Sequence, residues 1–254
     1  MLRPVSDVDV AGKRVLVRAD LNVPVEDGRV TDATRITRFA KGMKPLLDAG
    51  ARLVILTHFG RPTPNVLDPA YSVDKLRPAL FEALGVPVKF SDVCADQSAV
   101  ILSENLNPGE VLLCENLRYN PGEAANDADF ATALARLGDL YVNDAFSVSH
   151  RAHASTDALP RQMDSYAGPL LMEEVSALTA ALEAPKRPSV AIVGGAKVSS
   201  KIDVLKNLVT RLDAVIVGGG MANTFLYAKG APMGVSLHES DQIATVREIE
   251  ALAD

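Results

Sequence analysis

An α/β fold with parallel strands follows from two patterns in this 254-residue sequence. Short apolar runs are nearly unbroken rather than alternating, as strands buried on both faces between helices require. Between most of these runs, apolar residues recur at helical spacing, so strand and helix alternate along the chain.

The strand runs cover residues 15–17, 53–56, 111–114, 140–142, 190–193 and 214–217. Ile36, Phe39, Met43, Leu46 and Leu47 form one helical stripe, closed by the stop signal Gly50. Leu76, Leu80, Phe81 and Leu84 form a second, closed by Gly85, and residues 128–137 form a third, ending at Gly138. A further stripe, Leu171, Met172, Val175, Leu178 and Leu182, stops where Ala184-Pro185-Lys186-Arg187-Pro188 breaks the period. Residues 1–169 are therefore expected to form a first domain, 170–188 a joining helix and stiff connector, and 189–254 the start of a second domain. Two parallel strands with their helices are too few to bury a core, so the second domain is expected to be incomplete.

Hydrophobic residues make up 48% and charged residues 23%, values of an ordinary globular protein. No apolar stretch reaches membrane-spanning length, and residues 1–7 lack the apolar core of a signal peptide. Two cysteines, Cys94 and Cys114, outside any CxxC pair, predict a reduced, cytoplasmic protein. The net charge of −6 argues against bulk binding to nucleic acid or to an anionic membrane. An anionic ligand would then need a local cluster of cations.

Ligands of open parallel sheets bind beyond the carboxyl ends of the strands. Arg18-Ala19-Asp20-Leu21-Asn22-Val23-Pro24 follows the first run, and Thr57-His58-Phe59-Gly60-Arg61-Pro62 the second. Glu115-Asn116-Leu117-Arg118-Tyr119 follows the third, and Asn143-Asp144-Ala145-Phe146 with Ser149-His150-Arg151-Ala152-His153 the fourth. One loop arginine is ordinarily solvated. Three of them, Arg61, Arg118 and Arg151, at successive strand ends point to a ligand with more than one anionic group. His150 and His153 lack a third ligand at a recognisable spacing, so no metal residue is assigned. Arg35 falls in the first turn of a helix capped by Asp32 or Thr34, where a cation opposes the helix dipole at ~0.3–1 kcal/mol. That placement fits an arginine facing an anion and fits a solvated side chain equally well.

Two glycine-rich turns follow the last two runs. Gly194-Gly195-Ala196-Lys197-Val198-Ser199-Ser200-Lys201 leads into a helix with Ile202, Leu205, Leu208 and Leu212 inward, and Gly218-Gly219-Gly220-Met221 follows residues 214–217. Neither has the Walker A or GxGxxG spacing. Glycines, a helix start and paired lysines together favour nucleotide phosphate over simple close packing.

The ordered set of motifs resembles the phosphoglycerate kinase family along essentially the whole chain. It comprises the strand-end segments above, Thr34-Arg35-Ile36, Gly194-Gly195-Ala196-Lys197-Val198 and Gly218-Gly219-Gly220-Met221-Ala222. The resemblance implies two Rossmann-like, three-layer, parallel-sheet domains joined by a helix. It implies reversible phosphoryl transfer between 1,3-bisphosphoglycerate and ADP, giving 3-phosphoglycerate and ATP in glycolysis, by a cytoplasmic monomer. Asp20, Asn22, Arg35, His58, Arg61, Arg118 and Arg151 would hold the phosphoglycerate. Gly195, Ala196, Lys197, Lys201, Gly219 and Gly220 would hold ATP or ADP with Mg²⁺, and Arg35 and Lys197 would face the phosphoryl group in flight. Residues 170–188 would take part in domain closure.

Three departures accompany the resemblance. Ser147-Val148-Ser149 stands where the family more often has Gly-Thr-Ala, and Ser200 where it often has Asp. The family pattern also runs on beyond Asp254, through further nucleotide contacts. A fragment that binds 3-phosphoglycerate without turnover is therefore the alternative reading. A nicotinamide-dependent oxidoreductase ranks behind both, for want of the dinucleotide fingerprint.

Overall fold

A computed structural model describes residues 2–183 and 185–253. Ala184 of the predicted connector, together with Met1 and Asp254, lies outside the described residues. Two compact units divide the chain, residues 1–174 and 175–254.

The first unit contains β1 (Arg14–Ala19), β2 (Val25–Glu26), β3 (Arg29–Val30), α1 (Thr34–Asp48), β4 (Arg52–Leu56), α2 (Arg77–Leu84) and β5 (Val88–Ser91). It continues through α3 (Gln97–Glu104), β6 (Val111–Cys114), α4 (Pro121–Ala124), α5 (Ala128–Ala135), β7 (Leu140–Asp144), β8 (Ser165–Ala167) and the first turns of α6 (Pro169–Glu183). Six strands form one parallel sheet in the order β5-β6-β4-β1-β7-β8. In β1, Val15 and Val17 pack on one face with Ile36, Phe39 and Met43 of α1 and Leu80 of α2. Leu16 packs on the other with Val100 of α3 and Leu134 of α5. The unbroken apolar runs thus mark strands covered on both sides.

Sequence periodicity leaves out both edge strands and α3. β5 reads Val-Lys-Phe-Ser and exposes Lys89, and β8 reads Ser-Tyr-Ala, so neither carries the apolar run of a doubly covered strand. Phe81, placed by spacing in the α2 stripe, is 53% exposed, whereas its neighbour Leu80 is fully buried. The predicted cap of α1 also shifts. Ala33 occupies the cap position, and Asp32 reaches over it to accept from the Thr34 N–H at 2.9 Å.

The second unit comprises the rest of α6, β9 (Val190–Gly194), α7 (Ile202–Val209), β10 (Ala214–Gly218), α8 (Gly219–Ala228) and α9 (Ile243–Ala253). β9 and β10 pair in parallel. Val198, Leu205, Met221, Val246 and Ile249 form its core, against which Val193, Val215 and Val217 pack. The apolar runs of β9 and β10 predict burial on both faces, but Val190, Ile192 and Ile216 are each more than half exposed. Among the described residues no helix is long and apolar enough to cross a membrane.

Leu80→Ala is expected to destabilise the first unit by about 2–5 kcal/mol through its cavity, and Phe81→Ala by about 0.5 kcal/mol or less. Urea denaturation checks the pair. Equal losses would put Phe81 back in the core.

Candidate functional site

The sheet brings the carboxyl ends of β1, β4, β6 and β7 to one edge, and a buried arginine ties them together. Arg18 sits in β1, 1% exposed. Its Nε donates to Ser155 Oγ at 2.9 Å, and Nη2 lies 3.1 Å from His58 Nδ1. Ser155 Oγ donates onward to Glu123 Oε1 at 2.7 Å, and Glu123 Oε2 accepts the Ser155 N–H at 3.0 Å. Guanidinium and carboxylate are thus bridged by a hydroxyl, with Tyr141 Oη donating to the Ser155 carbonyl at 2.6 Å. A buried charge is tolerated only with such pairing and hydrogen bonding.

The network fixes the state of His58. Arginine only donates, so His58 Nδ1 must accept, and the ring carries its proton on Nε2. Burial, then Arg18 and Arg118, lower its pKa to about 3. His58 is therefore a neutral donor beside several cations.

Loop residues orient the remaining groups. Asn116, fully buried, accepts from the Phe59 and Arg118 N–H groups at 3.2 and 3.1 Å. It donates to the Phe59 and Tyr71 carbonyls at 2.7 and 2.8 Å, so all of its polar atoms hold the two loops together. Gly60 has φ +58°, and a Cβ there would lie 2.5 Å from the Tyr71 ring. Its N–H donates to Asn22 Oδ1 at 2.9 Å, and its carbonyl accepts from Arg118 Nη1.

Arg61 and Arg151 both lie within electrostatic reach of Arg118. Burial, then Arg151, Arg18 and Arg61, lower the proton affinity of Arg118, as neighbouring cations do. Arg35 pairs with Asp20 at 2.6 Å and stays half exposed. Ser147 Oγ donates to the same Asp20 oxygen. Burial would raise the Asp20 carboxyl, but the Ser147 bond and Arg35 outweigh it and hold it below the usual range. Among the described residues no carboxylate pairs with Arg61, Arg118 or Arg151. A cleft of about 320 Å³ borders Asp20, Arg35, Arg38 and Ser147. A larger one, about 510 Å³, is lined by Asp92, Asp96 and Glu115 and offers carboxylates where an anion needs cations.

In the second unit the two glycine turns lie against each other. A Cβ on Gly219 would lie 2.9 Å from the Gly195 carbonyl, and one on Gly220 2.6 Å from the Ala196 carbonyl. Their glycines serve backbone approach between turns. Lys197 and Lys201 are exposed. The Ser199 N–H and hydroxyl both donate to Glu239, the former at 3.0 Å. Among the described residues no three His, Cys, Asp or Glu side chains group as a metal site.

Sequence reasoning passed over Ser155 and Glu123, which carry no motif, and gave Arg18 no role. A charged residue ending an apolar strand run was the available signal for Arg18.

The depressed His58 pKa has a signed consequence. A solvent-exposed histidine titrates near 6.5, so the unfolded chain takes up the proton first. The stability it contributes is complete above about pH 6.5 and is lost as pH falls toward about 3. Ring ¹⁵N spectra are expected to show a neutral, Nε2-protonated His58 from pH 8 to about 4. A midpoint near 6.5 would contradict the network.

Comparison with known proteins identifies the family. The family model described as phosphoglycerate kinase matches residues 5–254. The phosphoglycerate kinase of Maricaulis maris is 53% identical over 253 residues, covering 100% of this chain and 62% of the relative. That of Methylorubrum extorquens (strain PA1) is 54% identical over 242 residues, covering 95% and 60%. The solved phosphoglycerate kinase of Coxiella burnetii superposes with TM-score 0.87 at 38% identity, covering 100% of this chain and 63% of the other. That of Pyrococcus horikoshii gives 0.82 at 28%, covering 99% and 65%. The chain thus spans about three fifths of the length of these curated relatives, and it belongs to the phosphoglycerate kinase family.

Proposed function

We propose that the chain serves reversible phosphoryl transfer between 1,3-bisphosphoglycerate and ADP, giving 3-phosphoglycerate and ATP in glycolysis, and that the first unit holds the phosphoglycerate. The observation that carries this reading is the placement of Arg118 and Arg151 beside a neutral His58, with Arg61 next in reach of Arg118. 3-Phosphoglycerate has a carboxylate and a phosphate on a three-carbon chain, and planar guanidinium forks from several loops suit two such groups. Asp20 and Asn22 would set the orientation of the ligand, with Asp20 holding Arg35. Arg35 would neutralise charge on the transferring phosphoryl oxygens, the main demand of this chemistry.

The second unit is assigned the nucleotide, with Lys197 and Lys201 facing its phosphates and the turns at Gly195, Ala196, Gly219 and Gly220 allowing close approach. Lys197 would add to the charge stabilisation. The donors present do not fit a protein-held Mg²⁺, which in this chemistry keeps its waters and binds chiefly through nucleotide phosphates. No residue is assigned to it. A cytoplasmic monomer acting on these small molecules completes the reading.

Calorimetry of this chain with 3-phosphoglycerate tests the assignment. Binding is expected, and Arg118→Ala should weaken it by about 10- to 100-fold, as loss of a charge-assisted contact does. No heat of binding, or equal affinity in the variant, would contradict it. A coupled ATP-consumption assay on the same chain separates turnover from binding alone.

A further inference from the structure

Asp144, the last residue of β7, takes no part in the chemistry above, yet it is 3% exposed at the edge of the cleft that Arg35 and Arg38 border. Its Oδ1 accepts the Leu170 N–H at 2.7 Å and the Leu171 N–H at 3.3 Å, in the first turn of α6. Its Oδ2 is buried without a hydrogen-bond partner. The first N–H groups of a helix need acceptors, usually from the residue just before it. Here the acceptor comes from a strand 26 residues earlier in the chain. Gly168 makes room for it, since a Cβ there would lie 2.3 Å from Asp144 Oδ1 and 2.6 Å from its Cβ.

Other contacts hold the same turn. Arg38 of α1 pairs with Glu173 at 3.0 Å and reaches Glu174 at 3.9 Å. Pro169 sits so close to α1 that a Cβ on Gly42 would lie 3.1 Å from the Pro169 Cβ. On the opposite side, Ser147 follows three residues after Asp144 and donates to Asp20, which holds Arg35. The charged groups around Asp144 are Arg35 and Arg38 from α1, Asp20 after β1 and Glu174 from α6.

A half-satisfied buried carboxyl weakens a fold. Such costs persist where the placement of a group serves the site. We propose that Asp144 is a positioning residue that locks the first turn of α6 to the end of β7 and so holds residues 145–147, with Asp20 and Arg35, in the geometry that receives phosphoglycerate. The ligand named here rests on the function proposed above; the lock itself does not.

Burial raises the Asp144 carboxyl to about 7, against the pull of the Leu170 and Leu171 N–H groups and of Arg38. Opening the turn exposes the carboxyl and returns it toward 3.8. Deprotonation therefore favours the open turn. The lock is tightest below about pH 4 and loosens as pH rises through about 7.

Amide hydrogen exchange of this chain, followed at Leu170 and Leu171 and corrected for intrinsic rates, tests the lock. Between about pH 5 and pH 8 the opening equilibrium should rise by about tenfold or more, a factor of ten being one pK unit. Asp144→Asn keeps the acceptor and removes the charge, so its opening should stay low and flat with pH. Asp144→Ala should open the turn at both pH values while the Leu16 and Val17 amides stay protected. The same Ala variant should weaken 3-phosphoglycerate binding by about fivefold or more, and Asn should restore it to within about twofold. Should Asp144→Ala fail to fold, Gly168→Ala displaces the carboxyl from the other side and should give the same exchange pattern. A pH-independent opening in the wild type, or an open turn with unchanged affinity, overturns the proposal. If the wild type binds no 3-phosphoglycerate, the ligand assignment fails and the exchange data alone decide for or against the lock.

Discussion

A guanidinium at the end of the central strand of a parallel sheet has to be neutralised from within the protein. Arg18 meets this constraint through Ser155 and Glu123, and the solution shapes everything around it. Ser155 and Glu123 come from short helical segments that follow β7 and β6, so satisfying one buried charge fixes the positions of both. His58, on the loop after β4, accepts from Arg18 Nη2, while Nη1 donates to the Ala19 carbonyl, and the ring is thereby held neutral in a single tautomer. Removing any one partner would leave a buried donor or charge unsatisfied, which costs far more than the net value of a surface ion pair.

The second constraint is electrostatic. The chain carries a net charge of −6, yet Arg61, Arg118 and Arg151 stand together without carboxylate partners among the described residues. Cations so placed repel one another, and burial together with this repulsion lowers the proton affinity of Arg118. An anion that reached several of them at once would relieve that repulsion. Asp20 is the exception, a carboxylate kept ionised by Ser147 and Arg35. It anchors Arg35 at the rim without neutralising the three arginines.

Continuous apolar runs revealed the doubly covered strands β1, β4, β6 and β7, because burial on both faces leaves few polar positions short of the strand ends. The edge strands β5 and β8 were invisible to the same reasoning, since an edge strand exposes a face and keeps its Lys89 or Ser165. Strand-end arginines were legible because topology sends every carboxyl end of a parallel sheet to one edge. Glu123 was not legible. Its role depends on meeting Arg18 through Ser155, a contact between residues 32 and 137 positions apart in sequence. In the second unit, glycines that suggest phosphate binding also turn out to be required by contact between the two turns themselves. Sequence alone cannot separate those two uses of glycine.

We propose a division of labour among arginines: Arg18 is satisfied inside the protein, and Arg35, Arg61, Arg118 and Arg151 are left for the ligand. Side-chain ¹⁵N spectra of the arginines during titration with 3-phosphoglycerate test it most directly. The Arg18 Nε–H is expected to be protected from solvent in the free protein and unmoved by ligand, while resonances of the other four shift together with a common saturation. A shift of Arg18 with the ligand, or stationary signals from the four, would contradict it.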